Sequence, residues 1–567
     1  MTRGKRSDMT ARSGGQILVD QLVRHGVGDI FCVPGESYLA VLDALYDATL
    51  RVTVCRQEGG AAFMAEAIGK LTGRPGIAMV TRGPGATNAA PGIHVASQDS
   101  TPLILFVGQV ARSMRGREAF QELDYRAVFG SMAKWVVEID RADRLPELVS
   151  RAFHVALQGR PGPVVVALPE DMLTERVEIA DAPPCRPAQL VPGSAEMSEL
   201  QRRLESAERP VLLAGGSGWS ADAVRALAAF AARFDLPAAV TFRRQSLFPA
   251  DHANFAGDLG IGPNPRLLAR LQSADLILLV GGRLSELPSQ GYQLLAIPGD
   301  GERLIHVHPG SEELNRVYRA GLAIQASPQR FCAALDALQP SGPPPWAGSA
   351  AVAHQEYRAW SDPTSITSPG ALQMGAVIAH LVATLPADTL VCNGAGNYAS
   401  WVHRFWPFRH FVSQLAPTSG SMGYGVPAAV AAKRHDPERS VIAFAGDGCF
   451  LMNGQEFATA VQYGLAIIVV VIDNGMYGTI RMHQEREYPG RVSASLLTNP
   501  DFAALARAFG GHGESVDATE EFAPALARAR ASGLPAILHC RLDPEALTPN
   551  RSLSQIRAAA LDLQSSS

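Results

Sequence analysis

The stretch that decides the fold of this chain is residues 440–474, SVIAFAGDGCFLMNGQEFATAVQYGLAIIVVVIDN. One apolar run, Val441–Ala445, leads directly into Gly446-Asp447-Gly448, and a second run, Ala466–Ile472, ends in Asp473-Asn474. Short apolar runs bounded by turn residues are typical of strands that are buried on both faces of a parallel sheet. The stretch therefore predicts two neighbouring strands that each end in polar residues.

The segment between the two apolar runs predicts a helix. Asn453-Gly-Gln-Glu456 has the spacing of a capping box, in which two polar side chains satisfy the first backbone N–H groups of a helix. Gly464 marks the end of the helix, because glycine readily adopts the left-handed conformation that often follows one. Strand, helix and strand together form the βαβ unit of a parallel sheet.

Two polar residues at the strand ends predict a metal site. Asp447 and Asn474 are 27 positions apart, but parallel sheets bring the carboxyl ends of their strands, where ligands bind, to one edge. A carboxylate, an amide oxygen, phosphate oxygens and water are typical ligands of Mg²⁺, and the backbone amides of Gly448 and Cys449 suit phosphate. The simpler interpretation, glycine for a turn and aspartate as a cap, explains the first motif alone; the second motif favours the metal site.

The same alternation of short strands and helices extends along nearly the whole chain, with two proline-rich interruptions at Asp181–Gly193 and Gln339–Gly348. Such stretches predict linkers. The polar segment after Asp543 is predicted to be flexible or to cover part of the last domain. We therefore predict three Rossmann-like, doubly wound α/β domains with parallel sheets, at residues 1–182, 193–338 and 365–545.

The composition excludes several classes of function. The 567 residues have a net charge of −4, so no basic excess favours binding to nucleic acid. Seven cysteines without a CxxC motif indicate free thiols in a large chain. No apolar run is long enough to span a membrane, and the basic start lacks the apolar run of a secretory signal. We expect a cytoplasmic protein that acts on small molecules.

With GDG after one strand and Asp-Asn after the next, the sequence resembles the thiamine-diphosphate-dependent enzymes. The resemblance implies three α/β domains, in order a pyrimidine-binding, a central and a diphosphate-binding domain. It implies that Asp447 and Asn474 bind Mg²⁺ through their side chains and Met476 through its carbonyl, with Gly446, Gly448 and Cys449 around the diphosphate. The family usually ends its second motif in Asn-Asn; here Asp473 replaces the first Asn, and the ligating position is unchanged.

The family also has a glutamate in its N-terminal domain, and Glu58, in RQEGGAA over residues 56–62, stands at that place. The resemblance implies that Glu58 hydrogen-bonds N1′ of the aminopyrimidine and favours the tautomer that removes the proton from thiazolium C2. Taken alone, Glu58 is better explained as a carboxylate stabilised by the dipole at a helix N-terminus. Its combination with the metal motif favours the catalytic interpretation.

Further segments resemble the acetolactate synthase and pyruvate oxidase branch of the family. The loop VTRGPGATN at residues 80–88 is similar to VTSGPGATN of that branch, and AFQE at 119–122 contains its FQE segment. The resemblance implies that Phe120 and Gln121 border the reacting carbon.

Two segments of the third predicted domain extend the resemblance. SGSMGYGVP at residues 419–427 is similar to GTMGYGLP, which makes Met422 the apolar residue that holds the cofactor in its bent shape. Gly396 and Asn397, in the sequence GAGN, are implied to lie in a loop beside the diphosphate.

Two positions depart from acetolactate synthases. Pro34-Gly35-Glu36 places a carboxylate where the synthases have a small residue, so Glu36 either points to solvent or lies at the reaction site, where it relays a proton or repels a carboxylate substrate. Thr479 and His483 stand where the synthases have a methionine and a tryptophan of the acceptor pocket. His483 is therefore either a substrate contact or a surface residue.

The flavin that some synthases bind is not favoured here, although FAD binding stays open. The middle domain of flavin-binding relatives has an LGMHG loop and an ARFDDR-like strand end. The corresponding stretches, residues 257–262 and 281–286, lack the Met-His pair and the double Asp.

The leading functional prediction is decarboxylation of a 2-oxo acid with carboligation to an acceptor, as in acetolactate synthase. The alternative is a non-ligating 2-oxo acid decarboxylase, or an aldehyde lyase or carboligase similar to benzoylformate decarboxylase or benzaldehyde lyase. A nucleotide-binding or regulatory subunit without chemistry is disfavoured, because Glu58, Asp447 and Asn474 are all present. In similar proteins these residues come from different subunits, so a homodimer or homotetramer is expected.

Overall fold

The computed structural model describes residues 10–299 and 302–565. The chain divides into two compact units, Met1–Ala188 and Gln189–Ser567, and the division falls inside the first predicted linker. Among the described residues, every helix is too short or too polar to cross a membrane. All seven cysteines are free.

The first unit contains one parallel sheet covered by helices. Its strands are β1 Arg12–Ser13, β2 Asp29–Cys32, β3 Arg51–Val54, β4 Gly76–Val80, β5 Leu103–Gln109, β6 Trp135–Glu138, β7 Pro163–Pro169 and β8 Arg176–Val177. Its helices are α1 Gly14–Arg24, α2 Leu39–Tyr46, α3 Glu58–Thr72, α4 Pro84–Asn88, α5 Ala90–Asp99, α6 Tyr125–Phe129, α7 Leu145–Leu157 and α8 Glu170–Thr174. The sheet order is β3-β2-β4-β5-β7-β6, while β1 and β8 form a separate antiparallel pair.

The second unit contains two more six-stranded parallel sheets. The first has the strands β9 Pro210–Ala214, β10 Ala238–Thr241, β11 Phe255–Leu259, β12 Leu276–Val280, β13 Leu304–His308 and β14 Leu322–Gln325, in the order β11-β10-β9-β12-β13-β14. Its helices are α9 Ser194–Ser206, α10 Ala221–Arg233, α11 Pro265–Ser273 and α12 Pro328–Ala334. Large apolar side chains such as Phe230, Phe248 and Phe331 are buried against this sheet.

The last sheet has the order β16-β15-β17-β18-β20-β19. Its strands are β15 Leu390–Asn393, β16 Gln414–Leu415, β17 Val441–Gly446, β18 Ile468–Asp473, β19 His512–Val516 and β20 Ala536–Arg541. The remaining helices are α13 Ser349–Trp360, α14 Met374–Thr384, α15 Tyr398–Phe405, α16 Gly425–His435, α17 Asp447–Asn453, α18 Glu456–Gln462, α19 Gly478–Glu487, α20 Phe502–Ala508, α21 Thr519–Ala531 and α22 Leu553–Ser565. The structure therefore confirms the predicted α/β class with three parallel sheets.

The region of the second predicted linker is packed against the middle sheet. The indole N–H of Trp346 donates to the carbonyl of Phe234 at 2.9 Å, and the Trp346 side chain is buried. Helix α13, which follows, packs its Tyr357 ring against Phe255 of β11 at 4.7 Å between ring centroids. The three predicted domain boundaries stay a prediction.

The predicted capping box at Asn453 and Glu456 is wrong. Helix α17 begins at Asp447, directly after β17, and ends at Asn453. Helix α18 begins at Glu456, and its preceding residue Gln455 makes no side-chain cap. The buried Glu456 carboxylate instead accepts a hydrogen bond from the Thr459 hydroxyl at 2.6 Å, one turn further along the same helix.

The described part of the segment after Asp543 covers α19 and contains helix α22. Leu553 and Ile556 of α22 form a small apolar cluster with Leu547, against which Met482 of α19 packs. The Arg557 guanidinium donates to the buried Glu485 carboxylate at 2.6 Å. Of the two predicted alternatives for this segment, flexible or covering, the structure shows the covering one.

Candidate active site

The order of strands in the last sheet creates a crevice at the carboxyl ends of β15 and β17. The chain passes from β15 to the edge strand β16 and then returns to the other side of β15 to form β17. Open parallel sheets bind ligands where the strand order reverses in this way. The turn that contains Gly396 follows β15, Asp447 follows β17, and Asn474 follows β18.

Asp447 is buried, and each of its carboxylate oxygens accepts one hydrogen bond. The backbone N–H of Gly448 donates to one oxygen at 2.8 Å, and the Asn499 amide donates to the other at 2.8 Å. Burial, together with the nearby Asp473 charge, raises the pKa of Asp447 to about 6, although the two hydrogen bonds oppose this shift.

Asp473, the departure from the Asn-Asn motif, is fixed by three donors. His539 Nε2 lies 2.9 Å from one of its carboxylate oxygens, and the other accepts from Asn499 at 2.8 Å and from the Gly475 N–H at 3.0 Å. Burial alone would raise the pKa of Asp473, but the hydrogen bonds from His539, Asn499 and Gly475 lower it below its usual value. Asn499 thus bridges the two carboxylates.

An extended segment, residues 495–497, holds the loop after β18. The Tyr477 N–H donates to the Ser495 carbonyl at 2.8 Å, and the Leu497 N–H donates to the Gly475 carbonyl at 2.8 Å. Met476 forms an isolated antiparallel bridge with Leu496 between these two bonds. The main chain around the Met476 carbonyl is therefore fixed from residues about twenty positions downstream.

Close packing explains the glycine at position 448. A Cβ atom there would lie 2.5 Å from the ring of Tyr477, which is closer than carbon atoms approach one another in proteins. Glycine therefore lets the loop after β18 lie directly against the start of α17.

One cavity of about 670 Å³ collects all nine residues that the sequence assigned to the cofactor in this part of the chain. They are Gly396, Asn397, Met422, Gly446, Asp447, Gly448, Cys449, Asn474 and Met476. Thr479 and His483 also line this cavity, and Thr479 donates its hydroxyl to the Asn397 side chain at 2.9 Å.

The residues present fit a magnesium–diphosphate group. The donor set is a carboxylate, an amide and a main-chain carbonyl, all oxygen ligands of the kind that Mg²⁺ prefers. Within the part of the chain that the structure describes, the Asn474 side chain makes no hydrogen bond to the protein, so its amide oxygen is available.

In the first unit, the chain passes from β2 to the edge strand β3 and then returns to the other side of β2 to form β4. This reversal again creates a crevice at the carboxyl ends of the strands. Glu58 is the first residue of α3, just past β3, and its Oε2 accepts a hydrogen bond from the Asn88 amide at 3.0 Å. A Cβ atom on Gly85 would lie 2.8 Å from Thr81 Cγ2 and 3.3 Å from Glu58 Oε1, so the glycine lets the loop after β4 lie close to Glu58.

One short segment after β4, residues 81–88, contacts all four predicted residues of this unit. Besides its contact with Glu58, it donates from Arg82 to the Glu36 carboxylate at 3.0 Å and to the Phe120 carbonyl at 3.1 Å. A Cβ atom on Gly83 would lie 2.8 Å from Gln121, whose φ of 64° belongs to the left-handed region. The structure therefore brings Glu36, Glu58, Phe120 and Gln121 to one edge of one sheet.

The sequence interpretation missed three residues that position the predicted ones. Arg82 lies inside a quoted loop, but its partners are distant in sequence, and Glu170, which accepts from Arg82 at 3.0 Å, follows 88 positions later. Asn499 and His539 belong to no motif. The only signal in the sequence for these residues was that their polar side chains lie in or next to segments that the chain brings back to the carboxyl edge of a parallel sheet.

The glycine-rich turns of the middle sheet pack against one another. A Cβ atom on Gly216 would lie 1.8 Å from the Gly281 carbonyl oxygen, and one on Gly215 would lie 3.1 Å from the Gly282 Cα. Close approach of the turns after β9 and β12 therefore explains these glycines. The prediction about FAD is not tested by this packing.

Comparisons with known proteins agree across the chain. Residues 12–128 match the N-terminal TPP-binding domain of thiamine pyrophosphate enzymes, residues 197–335 match their central domain, and residues 394–540 match their C-terminal TPP-binding domain. Thiamine pyrophosphate is another name for thiamine diphosphate.

Full-length relatives are acetolactate synthases. The chain is 31% identical over 540 residues to the acetolactate synthase isozyme 2 large subunit of Escherichia coli, covering 94% of this chain and 96% of the relative. It is 32% identical over 550 residues to the acetolactate synthase large subunit of Parasynechococcus marenigrum, covering 93% and 87%, respectively. The chain is therefore a thiamine-diphosphate-dependent enzyme and belongs to the acetolactate synthase family of thiamine pyrophosphate enzymes.

Proposed function

We propose that the enzyme decarboxylates a 2-oxo acid and ligates the remaining acyl unit to a carbonyl acceptor. The observation that carries this proposal is the cavity at the β15–β17 crevice, which is lined by every predicted cofactor residue of the second unit. The names of the relatives supply the reaction class. Atoms balance as one 2-oxo acid anion, one proton and one aldehyde giving one hydroxyketone and CO₂.

We assign the metal end of the site to Asp447, Asn474 and the Met476 carbonyl, which hold Mg²⁺ against the diphosphate. Gly396, Asn397, Gly446, Gly448 and Cys449 would surround the diphosphate, and Met422 would pack against the cofactor's middle. These assignments rest on the shared cavity and on the oxygen donors described above. When bound, thiamine diphosphate supplies a carbanion and a sink for the electron pair that departing CO₂ leaves behind.

We assign the proton chemistry to Glu58. Its carboxylate is held by Asn88 on one oxygen, and the other oxygen would hydrogen-bond N1′ of the aminopyrimidine. Phe120 and Gln121 border the reacting carbon, and Glu36 lies at the same edge. Overall, the bond between the carbonyl carbon and the carboxylate of the 2-oxo acid breaks with loss of CO₂, a bond forms between that carbonyl carbon and the acceptor carbonyl carbon, and the acceptor oxygen takes the proton.

We propose that each complete site is formed by two copies of the chain in a homodimer or homotetramer, with Glu58 from one copy and Asp447 from another. The relatives are named large subunits, which supports the further proposal that a separate small subunit binds this chain.

The test is a panel of 2-oxo acids, each supplied with and without aldehyde acceptors to the full chain reconstituted with thiamine diphosphate and Mg²⁺. Carbon dioxide release and product identity are both recorded. Acetolactate from pyruvate alone, or a mixed hydroxyketone in the presence of an aldehyde, supports carboligation. The absence of any CO₂ release across the panel would overturn the proposal.

A second candidate is a non-ligating decarboxylase or an aldehyde lyase, as in enzymes similar to benzoylformate decarboxylase or benzaldehyde lyase. The carboxylate of Glu36 at the carboxyl edge favours it, because acetolactate synthases have a small residue there. The same panel separates the two functions, since CO₂ release or aldehyde formation without any ligated product indicates this second function.

A further inference from the structure

Arg82 is the centre of a charged cluster in the first unit. The Arg82 side chain is only 8% exposed, and each of its three nitrogens donates a hydrogen bond. Two of the acceptors are the carboxylates of Glu36 and Glu170, both at 3.0 Å, and the third is the Phe120 carbonyl. A guanidinium engaged on all three nitrogens has a fixed orientation, so it fixes its partners as well.

Glu36 is the exposed member of this cluster. Its side chain is 69% exposed, against 35% for Glu170. One Glu36 oxygen binds Arg82, and within the described residues the other makes no hydrogen bond to the protein. Because two carboxylates share one guanidinium, the cluster carries one excess negative charge, and this charge meets solvent at Glu36.

An apolar surface lies beside this charge. The Phe120 side chain is 73% exposed, although its main chain is held by Arg82. The Glu122 carboxylate accepts the N–H groups of Gly116 and Ala119, which closes the turn that presents the ring. An exposed ring on a fixed turn is an apolar contact surface that costs little conformational entropy to use.

The position of the cluster relates it to the reaction. The 81–88 segment that carries Arg82 also holds Glu58 through Asn88, so Glu36 and Glu58 are held by two ends of one segment at one sheet edge. We propose that Glu36, oriented by Arg82, disfavours anionic acceptors, so that the acceptor is an uncharged carbonyl compound with an apolar substituent and not a second 2-oxo acid. This inference rests on the proposed function and specifies its acceptor.

The physical basis is charge repulsion at a partly solvated site. A carboxylate on the acceptor that approaches an exposed, fixed carboxylate is repelled, whereas the aldehyde that has a hydrogen in place of that carboxylate is not. Solvent and salt screen the repulsion, so we expect an effect of about tenfold in selectivity at low ionic strength.

The experiment is a competition between two acceptors in one reaction. The full chain, loaded with thiamine diphosphate and Mg²⁺, receives the donor identified by the panel together with equal concentrations of propanal and 2-oxobutanoate. The ratio of the two ligated products is measured by chromatography. Because 2-oxobutanoate is itself a 2-oxo acid and can act as a donor, the donor is isotopically labelled and only products that contain the labelled unit are counted. In these products both acceptors compete for the same donor-derived unit, so differences in cofactor loading and in the donor step cancel from the ratio.

Glu36→Gln should shift the product ratio about tenfold toward 2-oxobutanoate. Raising the salt concentration should shift the wild-type ratio in the same direction and leave the variant's ratio unchanged. The matched control is Glu147→Gln, which removes the same charge from an exposed Arg144–Glu147 pair on α7 and should leave the ratio as in the wild type.

Arg82→Met separates a charge effect from a structural one. Removing the guanidinium leaves both carboxylates uncompensated, so the ratio should shift away from 2-oxobutanoate, opposite to the shift in Glu36→Gln. A purely structural role would shift both variants in one direction, and that result would overturn the proposal. If Arg82→Met does not fold, the salt dependence of the product ratio, compared between the wild type and Glu36→Gln, distinguishes a charge effect from a structural one.

Two outcomes distinguish the inference from the function on which it rests. Ligated products with an unchanged ratio in Glu36→Gln would overturn the inference and leave the carboligase function intact. Carbon dioxide release without a ligated product from either acceptor would overturn the carboligase function, and the inference with it.

Discussion

Asn499 donates its side-chain amide to the Asp447 carboxylate at 2.8 Å, although the two residues lie 52 positions apart in sequence. The same amide nitrogen lies 2.8 Å from Asp473, on the neighbouring strand end. Asn499 therefore fixes the orientation of a proposed metal ligand without being a ligand itself. Residues in this position commonly tune a metal site as strongly as some ligands do.

We expect Asn499→Ala to weaken Mg²⁺ binding about 10- to 100-fold, because the Asp447 carboxylate loses the donor that orients it. The measurement is a Mg²⁺ titration of the apoprotein at saturating thiamine diphosphate, followed by intrinsic fluorescence. Thr498→Ala, an exposed neighbour, is the control and should bind Mg²⁺ normally. Wild-type affinity in Asn499→Ala would show that Gly448 alone suffices to orient Asp447.

Gly448→Ala should displace the Tyr477 ring and with it the loop that carries Met476, since the new methyl group would lie 2.5 Å from the ring. We expect retention of thiamine diphosphate through gel filtration to fall at least about tenfold, a loss comparable to that of a misplaced ligand. Gly28→Ala is the control, because no atom lies within 4 Å of a Cβ there. The double variant Gly448→Ala/Tyr477→Ala should recover part of the retention if the clash is the cause.

Glu58→Gln should leave the metal and diphosphate contacts in place, because the proposed ligands for those groups belong to other residues. Loss of the carboxylate should slow removal of the C2 proton, and general acid–base contributions of about 10²- to 10⁴-fold set the expected loss in kcat. The measurement is proton–deuterium exchange at C2 of the bound cofactor. Exchange at the wild-type rate would identify Glu58 as a helix-terminal carboxylate, with Glu36 the next residue to examine.

Mixing two inactive variants tests whether Glu58 and Asp447 of one site belong to different chains. Asp447→Ala should lose cofactor retention, and Glu58→Gln should lose turnover. If each site takes one residue from each chain, a mixed dimer has one intact site, so random exchange of subunits restores about a quarter of wild-type activity. The control is mixing without subunit exchange. No recovery after demonstrated exchange would place both residues of a site in the same chain.

The stability of the second unit should depend on pH through Asp258. Burial raises the pKa of this carboxyl to about 7, although a hydrogen bond from the Gln245 amide at 3.1 Å opposes the shift. Between the unfolded pKa and 7 the native state holds a proton that the unfolded chain has released, so the free energy of unfolding falls as pH rises through this window.

Asp258→Asn removes this ionisation. We therefore expect the variant to gain stability relative to the wild type as pH rises from about 4 to 7, by at most about 4 kcal/mol, with a constant difference above that window. Urea denaturation at several pH values measures the difference. Asp222→Asn, whose exposed carboxylate pairs with Arg225, should show no such trend, and an equal trend in both variants would contradict the assignment to Asp258.

The interior strands of all three sheets could be predicted from the sequence, but most edge strands could not. Strands such as β4, β9 and β17 are buried along their whole length, so their sequences are continuous apolar runs. Edge strands such as β19, His512–Val516, expose part of every residue except Val516 and contain charged and small side chains. The pattern of apolar residues in a sequence reports which residues are buried, so the pattern is weak in strands that are only partly buried.

The residues of the candidate site also divide into those that the sequence could predict and those that it could not. Residues in contiguous motifs, such as Asp447 and Met476, could be predicted to lie in one cavity, because each lies just after a strand of the same sheet. Asn499 and Arg82 could not, because their roles depend on contacts that only the folded chain creates. Sequence alone also misassigned Glu456 as a cap, since nothing local shows that α17 begins as early as Asp447.

The 81–88 segment touches Glu36, Glu58, Phe120 and Gln121 at once, and this has a consequence for mutagenesis. Free-energy changes add when substituted residues are independent, but residues that share a partner show coupling energies of roughly 0.5–3 kcal/mol. The free-energy changes of single substitutions at this edge therefore cannot be added, because each of them includes part of the effect of the others. Double-mutant cycles through Arg82 and Asn88 are needed to apportion the activation free energy among the four residues.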